Sequence, residues 1–321
     1  MTTETKRPYD PDVIPAMERF GATMMVEGLT IEDWRQRYSG LMAEQGIPAD
    51  PVSTRDLTVP TRHGEMKARL YLPFEPSPAL LVYAHGGGFV VGDLDTLDVP
   101  LHAVSRGSGV AILSLDYALA PERMYPIALE QCQDGLRWAD RHRAELGVDG
   151  PLGVGGDSAG GNFAALLSQW AVATGGPVID WQVLINPVLD FSAVEKASTV
   201  SHRLYGDSPM LSAEAMQVFL ASYFKSPADA LEASPLCAAV DCSALPPAFI
   251  AVGECDALHD DSVAYAEKLS SAGVPVQLEV YQGMPHNFMT LTKVSGTARR
   301  FLQDFTAASA AWAGRASTRQ S

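Results

Sequence analysis

Cysteine, basic residues and long apolar runs are all scarce in this chain. Only four cysteines (Cys132, Cys237, Cys242, Cys255) occur in 321 residues. No C-x-x-C pair or Cys/His cluster has zinc spacing, so they read as reduced, mostly buried thiols and no metal site is expected. With 23 basic against 38 acidic residues the formal charge is -15. That balance disfavours nucleic acid or an anionic bilayer as partner, because both attract positive surfaces. No apolar run reaches the roughly 18 residues of a membrane span. The first residues, "MTTETKRPYDPDVIP", lack the apolar stretch of a signal peptide, and a soluble, cytoplasmic protein without membrane insertion is expected.

What the chain does have is a rhythm. At 47% hydrophobic it can bury a large core. "RDLTVPTRHGEMKARLYL" reads as two alternating strands around His63-Gly64, a hairpin. Near-continuous apolar runs follow at 79–84, 109–115, 151–155, 179–185, 246–252 and 275–281, as suits strands buried on both faces. Helical patterns lie between several of them, at 128–146, 162–173 and 261–273, and another closes the chain. This alternation predicts an α/β fold with a doubly wound, mostly parallel central sheet flanked by helices.

Two regions break the rhythm. Residues 1–50 look helical, and residues 191–232 interrupt a strand-helix-strand step, with "LSAEAMQVFLASYF" as a candidate helix. Together they either cover the end of the sheet as a helical cap or pack peripherally on the core. The expected organisation is an α/β core over 51–190 and 233–321, with 1–50 and 191–232 as the two parts of the cap.

Four glycines, Ala159 and Ser158 crowd into "VGGDSAGGNF", residues 154–163, between a strand and a helix. Gly156, Ser158 and Gly160 complete G-x-S-x-G, the nucleophile elbow. The sharp turn brings the residues two before and two after the serine too close for side chains, and it aims a helix N-terminus at the reacting centre. A phosphate loop would need Lys-Ser/Thr after the last glycine, where this chain has Asn162-Phe163.

A second cluster, "YAHGGGFVVGD" at 83–93, follows the first buried strand. Its use is to turn the N–H groups of Gly87 and Gly88 toward Ser158, with Ala159 N–H as a third donor for an oxyanion. His85 then shapes the loop.

A serine needs an imidazole to take its proton and a carboxylate to orient that imidazole. His63, His85, His102, His142 and His202 lie in ordinary places, and His259 is too close to Asp256 in sequence to be oriented by it. His286 remains, in "YQGMPHNF" after the last apolar strand. Two loops could supply the carboxylate: Asp256 in "VGECDALHDD", preferred on adjacent-strand geometry, and Asp190 in "NPVLDF". Asp260 and Asp261 are expected to cap the next helix, with Asp260 also able to assist.

With these residues in view, the sequence closely resembles the hormone-sensitive-lipase-like family of α/β-hydrolases, the bacterial family IV esterases, from about residue 55 to 305. "HGGGF" at 85–89, "GDSAGG" at 156–161, "LDYALAPERMYPIALEQCQDGLRW" between them, "ASPL" at 233–236 and "CDALHDD" at 255–261 carry the resemblance. It implies the α/β-hydrolase fold with a cap, Ser158 as nucleophile, His286 as base, Asp256 as its partner, and Gly87, Gly88 and Ala159 as oxyanion donors. It also implies hydrolysis of short- to medium-chain carboxylic esters through an acyl-enzyme, without metal or organic cofactor, and dimerisation through the edge strand near 275–281. Ala257 and Asn287 depart from the proline and glycine usual at those places. An amidase or N-deacetylase with the same triad, and a non-catalytic small-ligand receptor on the same fold, are the rival readings.

Overall fold

The computed structural model describes residues 5–196 and 198–317. In chain order it contains α1 (Ile14–Met24), α2 (Ile31–Ala43), β1 (Ser53–Thr61), β2 (Gly64–Leu72), β3 (Leu80–Ala84), α3 (Asp98–Ser108), β4 (Ala111–Asp116), α4 (Ile127–Arg141), β5 (Leu152–Asp157), α5 (Ala159–Thr174) and β6 (Trp181–Ile185). Four short helices follow: α6 (Phe191–Lys196), α7 (Val200–Tyr205), α8 (Ala213–Tyr223) and α9 (Pro227–Glu232). Then come β7 (Ala248–Gly253), α10 (His259–Ser271), β8 (Val276–Tyr281) and α11 (Gly296–Ser317).

The strands form one sheet in the order β1-β2-β4-β3-β5-β6-β7-β8. β2 pairs antiparallel with β1 and β4, and every pairing from β4 onward is parallel. The hairpin turn falls on Arg62-His63, since Gly64 already pairs with Thr61; this is one residue before the expected centre. The apolar runs that lack alternation become β3, β5, β6 and β7, buried along their whole length. Alternate residues of each still face different layers. Leu80, Val82, Val154, Leu184 and Ile250 belong to one core with helices α4, α5 and α10, whereas Leu81, Tyr83, Trp181, Val183 and Phe249 belong to the other, with α3 and α11. A sheet covered on both faces has no polar side, which is why its central strands read as unbroken apolar runs.

Close packing between neighbouring strands sets a second requirement. A Cβ on Gly153 of β5 would collide with the indole of Trp181 on β6, which is fully buried. The glycine here is a space for a large ring rather than a turn.

The two irregular regions meet. Trp34 of α2 packs edge-on against Phe219 of α8 at 5.5 Å, and Gly21 of α1 lies against Pro209. Each helix has a local reason to start where it does. Thr30 and Ser226 form capping boxes with Asp33 and Asp229, and Ser212 caps α8 by accepting from Ala215 N–H. Arg35 on α2 donates to both carboxylate oxygens of Glu122 and to the carbonyls of Val90 and Ala120, which ties this region to the sheet's loops. Cys132, Cys242 and Cys255 are buried, Cys237 is exposed, and all four are unpaired. No described helix is long and apolar enough to cross a membrane.

Gly153→Ala is expected to destabilise the fold by about 1–3 kcal/mol through overpacking, read as a lower midpoint in urea with unchanged slope. An unchanged midpoint would mean that the Trp181 ring can move away at no cost.

Candidate active site

The site is assembled at the carboxyl ends of β3, β5, β6, β7 and β8. Ser158 follows β5 directly and is held at φ 52°, ψ -115°, a conformation a side-chain-bearing residue seldom adopts. Its N–H donates to Ile185 O at 2.8 Å, and its carbonyl accepts from Asn162 N–H at 3.0 Å to close the first turn of α5. The bend needs glycines. A Cβ on Gly156 would strike the carbonyls of Gly160 and Ala84, and one on Gly160 would strike those of Ala84 and His85.

His286, in the loop after β8, lies with Nε2 3.0 Å from Ser158 Oγ. Its Nδ1 is 2.8 Å from Asp256 Oδ2, in the loop after β7. Asp256 is fully buried, and its Oδ1 accepts from Leu258 N–H at 2.9 Å. Asn186, at the end of β6, donates from Nδ2 to the same Oδ2 that faces His286. Burial alone would push the Asp256 carboxyl up; the His286 charge and these hydrogen bonds outweigh it and hold the group below its ordinary value. An ionised Asp256 fixes the His286 tautomer with Nδ1–H, leaving Nε2 free to accept from the serine.

The glycine loop after β3 is pinned on every side but one. Gly86 N–H donates to Asp157 Oδ1 at 2.9 Å, Val90 and Val91 N–H both donate to Gly87 O at 3.0 Å, and Ala120 N–H donates to Phe89 O at 2.9 Å. Gly87 and Gly88 take φ 119° and 59°, the left-handed region that glycine tolerates. Their N–H groups and that of Ala159, the first residue of α5, donate to no protein acceptor among the described residues. His85 stacks on Tyr117 at 4.3 Å and contacts Gly86 O through Nδ1 at 2.7 Å, so it shapes the loop as expected.

Ser158 and His286 lie on the floor of a cavity of about 470 Å³, mostly apolar, walled by Phe20, Trp34 and Tyr38 from α1 and α2 and by Val218 and Phe219 from α8. The two regions outside the strand-helix rhythm thus line one cavity with Ser158 and His286.

Some expectations fail here. Asp260 and Asp261 do stand in the first turn of α10 as N-terminal acids, but neither caps it, since the helix has no side-chain cap. Asp261 instead reaches the start of the 191–232 insertion, accepting from Leu189 and Asp190 N–H at 2.9 and 3.1 Å. Asp260 accepts from Ser201 N–H at 3.0 Å and from His259 Nδ1 at 3.1 Å, and it makes no contact with His286. Asp190 accepts from the N–H groups of Ser192 and Ala193 and heads α6, away from the triad. Asn186 was not singled out by sequence reasoning; its signal is a polar residue at the carboxyl end of a buried strand. Asn287 adopts φ 59°, which explains why glycine suits that place and why asparagine, tolerant of this region, can replace it. Its Nδ2 donates to the buried Tyr38 OH at 3.4 Å.

A family model described as alpha/beta hydrolase fold matches residues 81–290. The chain is 36% identical over 296 residues to an ethyl acetate hydrolase of Pseudomonas putida, covering 88% of this chain and 90% of that protein. It is 33% identical over 299 residues to esterase LipI of Mycobacterium tuberculosis, covering 90% of each. The structure of a hyperthermophilic esterase from Pyrobaculum calidifontis superimposes with a TM-score of 0.88 at 32% identity, covering 95% of this chain and 99% of that one.

Two buried carboxyls beside the triad make the fold sensitive to pH. Burial raises Asp157 to about 6, against the opposing hydrogen bonds from Tyr83 and Gly86, and raises Asp261 to about 7. An unfolded aspartate loses its proton near 3.9. Between about 4 and 7 the folded chain therefore binds more protons than the unfolded one, and these groups lower stability as pH rises through that window. In Asp261→Asn, which mimics the protonated acid, the melting temperature should fall less steeply between pH 5 and 7.5 than in the unmodified chain. Identical slopes would remove Asp261 from the account.

Proposed function

We propose, on the premise that the chain belongs to the α/β-hydrolase family, in its hormone-sensitive-lipase-like branch, and is a carboxylesterase, that Ser158, His286 and Asp256 carry the reaction as nucleophile, base and orienting acid. The observation that carries this reading is the continuous contact from Ser158 Oγ to His286 Nε2 at 3.0 Å and from His286 Nδ1 to Asp256 at 2.8 Å. It lies beside three peptide N–H groups that donate to no protein acceptor among the described residues.

Ester cleavage then proceeds in two halves. His286 Nε2 accepts the Ser158 proton as Oγ attacks the ester carbonyl, and the imidazolium formed is stabilised by Asp256. The carbonyl oxygen gains negative charge and is met by the N–H groups of Gly87, Gly88 and Ala159, at the positive end of α5. His286 returns the proton to the departing alkoxide. Water, deprotonated by the same imidazole, releases the acid and restores Ser158.

The helices of residues 1–50 and 191–232 serve as the cap. The apolar walls they give the cavity support small, short- to medium-chain carboxylic esters as substrates. A receptor on this fold would need no functional triad, whereas here all three members are within hydrogen-bond reach, supporting turnover.

Ser158→Ala should lower kcat on p-nitrophenyl butanoate by about 10⁴-fold or more with an unchanged circular dichroism spectrum. Turnover retained at the original rate would refute the assignment. Asn186→Ala is expected to lower kcat by about tenfold, with KM little changed, because it loosens the Asp256 carboxylate that orients His286. A change confined to KM would place Asn186 in substrate binding instead.

A further inference from the structure

The cavity over Ser158 carries a pattern of rings and charges that cleavage of a neutral ester does not require. Four aromatic side chains line it from three helices: Phe20 of α1, Trp34 and Tyr38 of α2, and Phe219 of α8. They stand in two edge-to-face pairs, Phe20 with Tyr38 at 6.4 Å and 89°, and Trp34 with Phe219 at 5.5 Å and 77°. No described Lys or Arg stacks on any of the four rings.

The charged side chains have one sign. The lining includes Glu27, from the turn between α1 and α2, Glu214, from the first turn of α8, and Asp157, but no lysine or arginine. Both glutamates are exposed, and neither has an ion-pair partner among the described residues. The nearby arginines of α1 and α2 are engaged elsewhere: Arg19 with Glu44 at 2.8 Å, Arg35 with Glu122 at 2.6 Å, and Arg37 with the carbonyl of Thr23 at 2.8 Å. Glu214 has a local use, since it offsets the positive end of α8. Glu27 has none, because it stands just past the negative end of α1, where a carboxylate gains nothing from the helix.

Ring faces attract a cation through their quadrupole, and a low-dielectric cleft focuses the field of its carboxylates. The two effects add. A quaternary ammonium suits both, because it has no N–H that an apolar wall would leave unpaired, and its methyl shell packs against rings. Resting on the triad reading above, we propose that this cavity selects esters that bear a quaternary ammonium head group, held by Phe20, Trp34, Tyr38 and Phe219 and drawn in by Glu27 and Glu214. Esters of the choline type are the substrate class. The chemistry is unchanged: the acyl carbon bonds to Ser158 Oγ, the Oγ proton passes through His286 to the departing alkoxide, and the alcohol leaves with its positive charge.

Acetylcholine and 3,3-dimethylbutyl acetate have the same shape and differ in a charged nitrogen against a neutral carbon. Both leave the same acetyl group on Ser158, so a difference in kcat/KM arises before the alcohol departs. With each value divided by the ester's rate of hydroxide hydrolysis in the absence of protein, acetylcholine should be preferred by about tenfold, which a desolvated cation–π contact can supply. Trp34→Leu keeps an apolar wall without the indole and should lower that ratio by about threefold or more. Glu27→Gln combined with Glu214→Gln should lower it by about threefold at low ionic strength, where exposed charges are least screened. Glu145→Gln, between α4 and β5 at the end of the sheet away from Ser158, should leave it unchanged. Each ratio is measured within one preparation, so it does not depend on how much of a variant folds. A ratio of one or below in the unmodified protein, or a ratio that neither Trp34→Leu nor the double variant lowers, would overturn the proposal. A fall in Glu145→Gln as large as in the double variant would also overturn it, by making the preference a property of the total charge. If Ser158→Ala abolishes cleavage of both esters while the ratio is one, the head-group proposal alone falls; if cleavage survives that variant, the triad reading falls.

Discussion

The sharp bend at residue 158 is the constraint on which the other features rest. For β5 to turn directly into α5, residue 158 must accept φ 52°, and the backbone on either side must pass within contact of Ala84, His85 and Gly160. Only glycine fits at 156 and 160 under those conditions. The strain has a geometric return, because it lifts the hydroxyl clear of the sheet and leaves the first N–H groups of α5 beside it. Moving the serine one residue along the strand or the helix would lose either the approach of His286 or the donors.

A second dependence runs through buried carboxyls. Asp157 holds the glycine loop through Gly86, Asp256 holds His286, and Asp261 holds the start of the insertion through Leu189 and Asp190. Three acids, one on β5 and two after β7, thus connect the glycine loop, His286 and the segment leading into α6 to the sheet. Their charge states differ for physical reasons. Against burial, Asp256 is in direct contact with His286 Nδ1 and accepts from Leu258 N–H and Asn186 Nδ2, and it is held below its ordinary value. For Asp157 and Asp261 burial outweighs the hydrogen bonds each accepts and, for Asp157, the opposing effect of His286, and raises both.

Much of this was legible from residue order alone, and the failures have a common cause. The parallel sheet followed from apolar runs separated by helical patterns, and the candidates Ser158 and His286 from the need for a nucleophile and a base at strand ends, with Asp256 preferred over Asp190 as the carboxylate. Local rules misled where a tertiary contact took over. Asp260 and Asp261 sit at the start of α10 as capping acids would, but their oxygens are used by Ser201, Leu189 and Asp190 from other parts of the chain. Asn186 escaped notice because nothing in "INPVL" distinguishes a side chain that braces a carboxylate from one that ends a strand.

The central claim is that Ser158 faces a set of donors built for an oxyanion. Its most direct measurement is a crystal structure of the chain after reaction with a p-nitrophenyl alkylphosphonate, which leaves a tetrahedral adduct on the nucleophile. The account predicts phosphorus bonded to Ser158 Oγ, with one phosphonyl oxygen about 2.7–3.1 Å from the peptide nitrogens of Gly87, Gly88 and Ala159. An adduct on another residue, or a phosphonyl oxygen turned away from all three nitrogens, would contradict it.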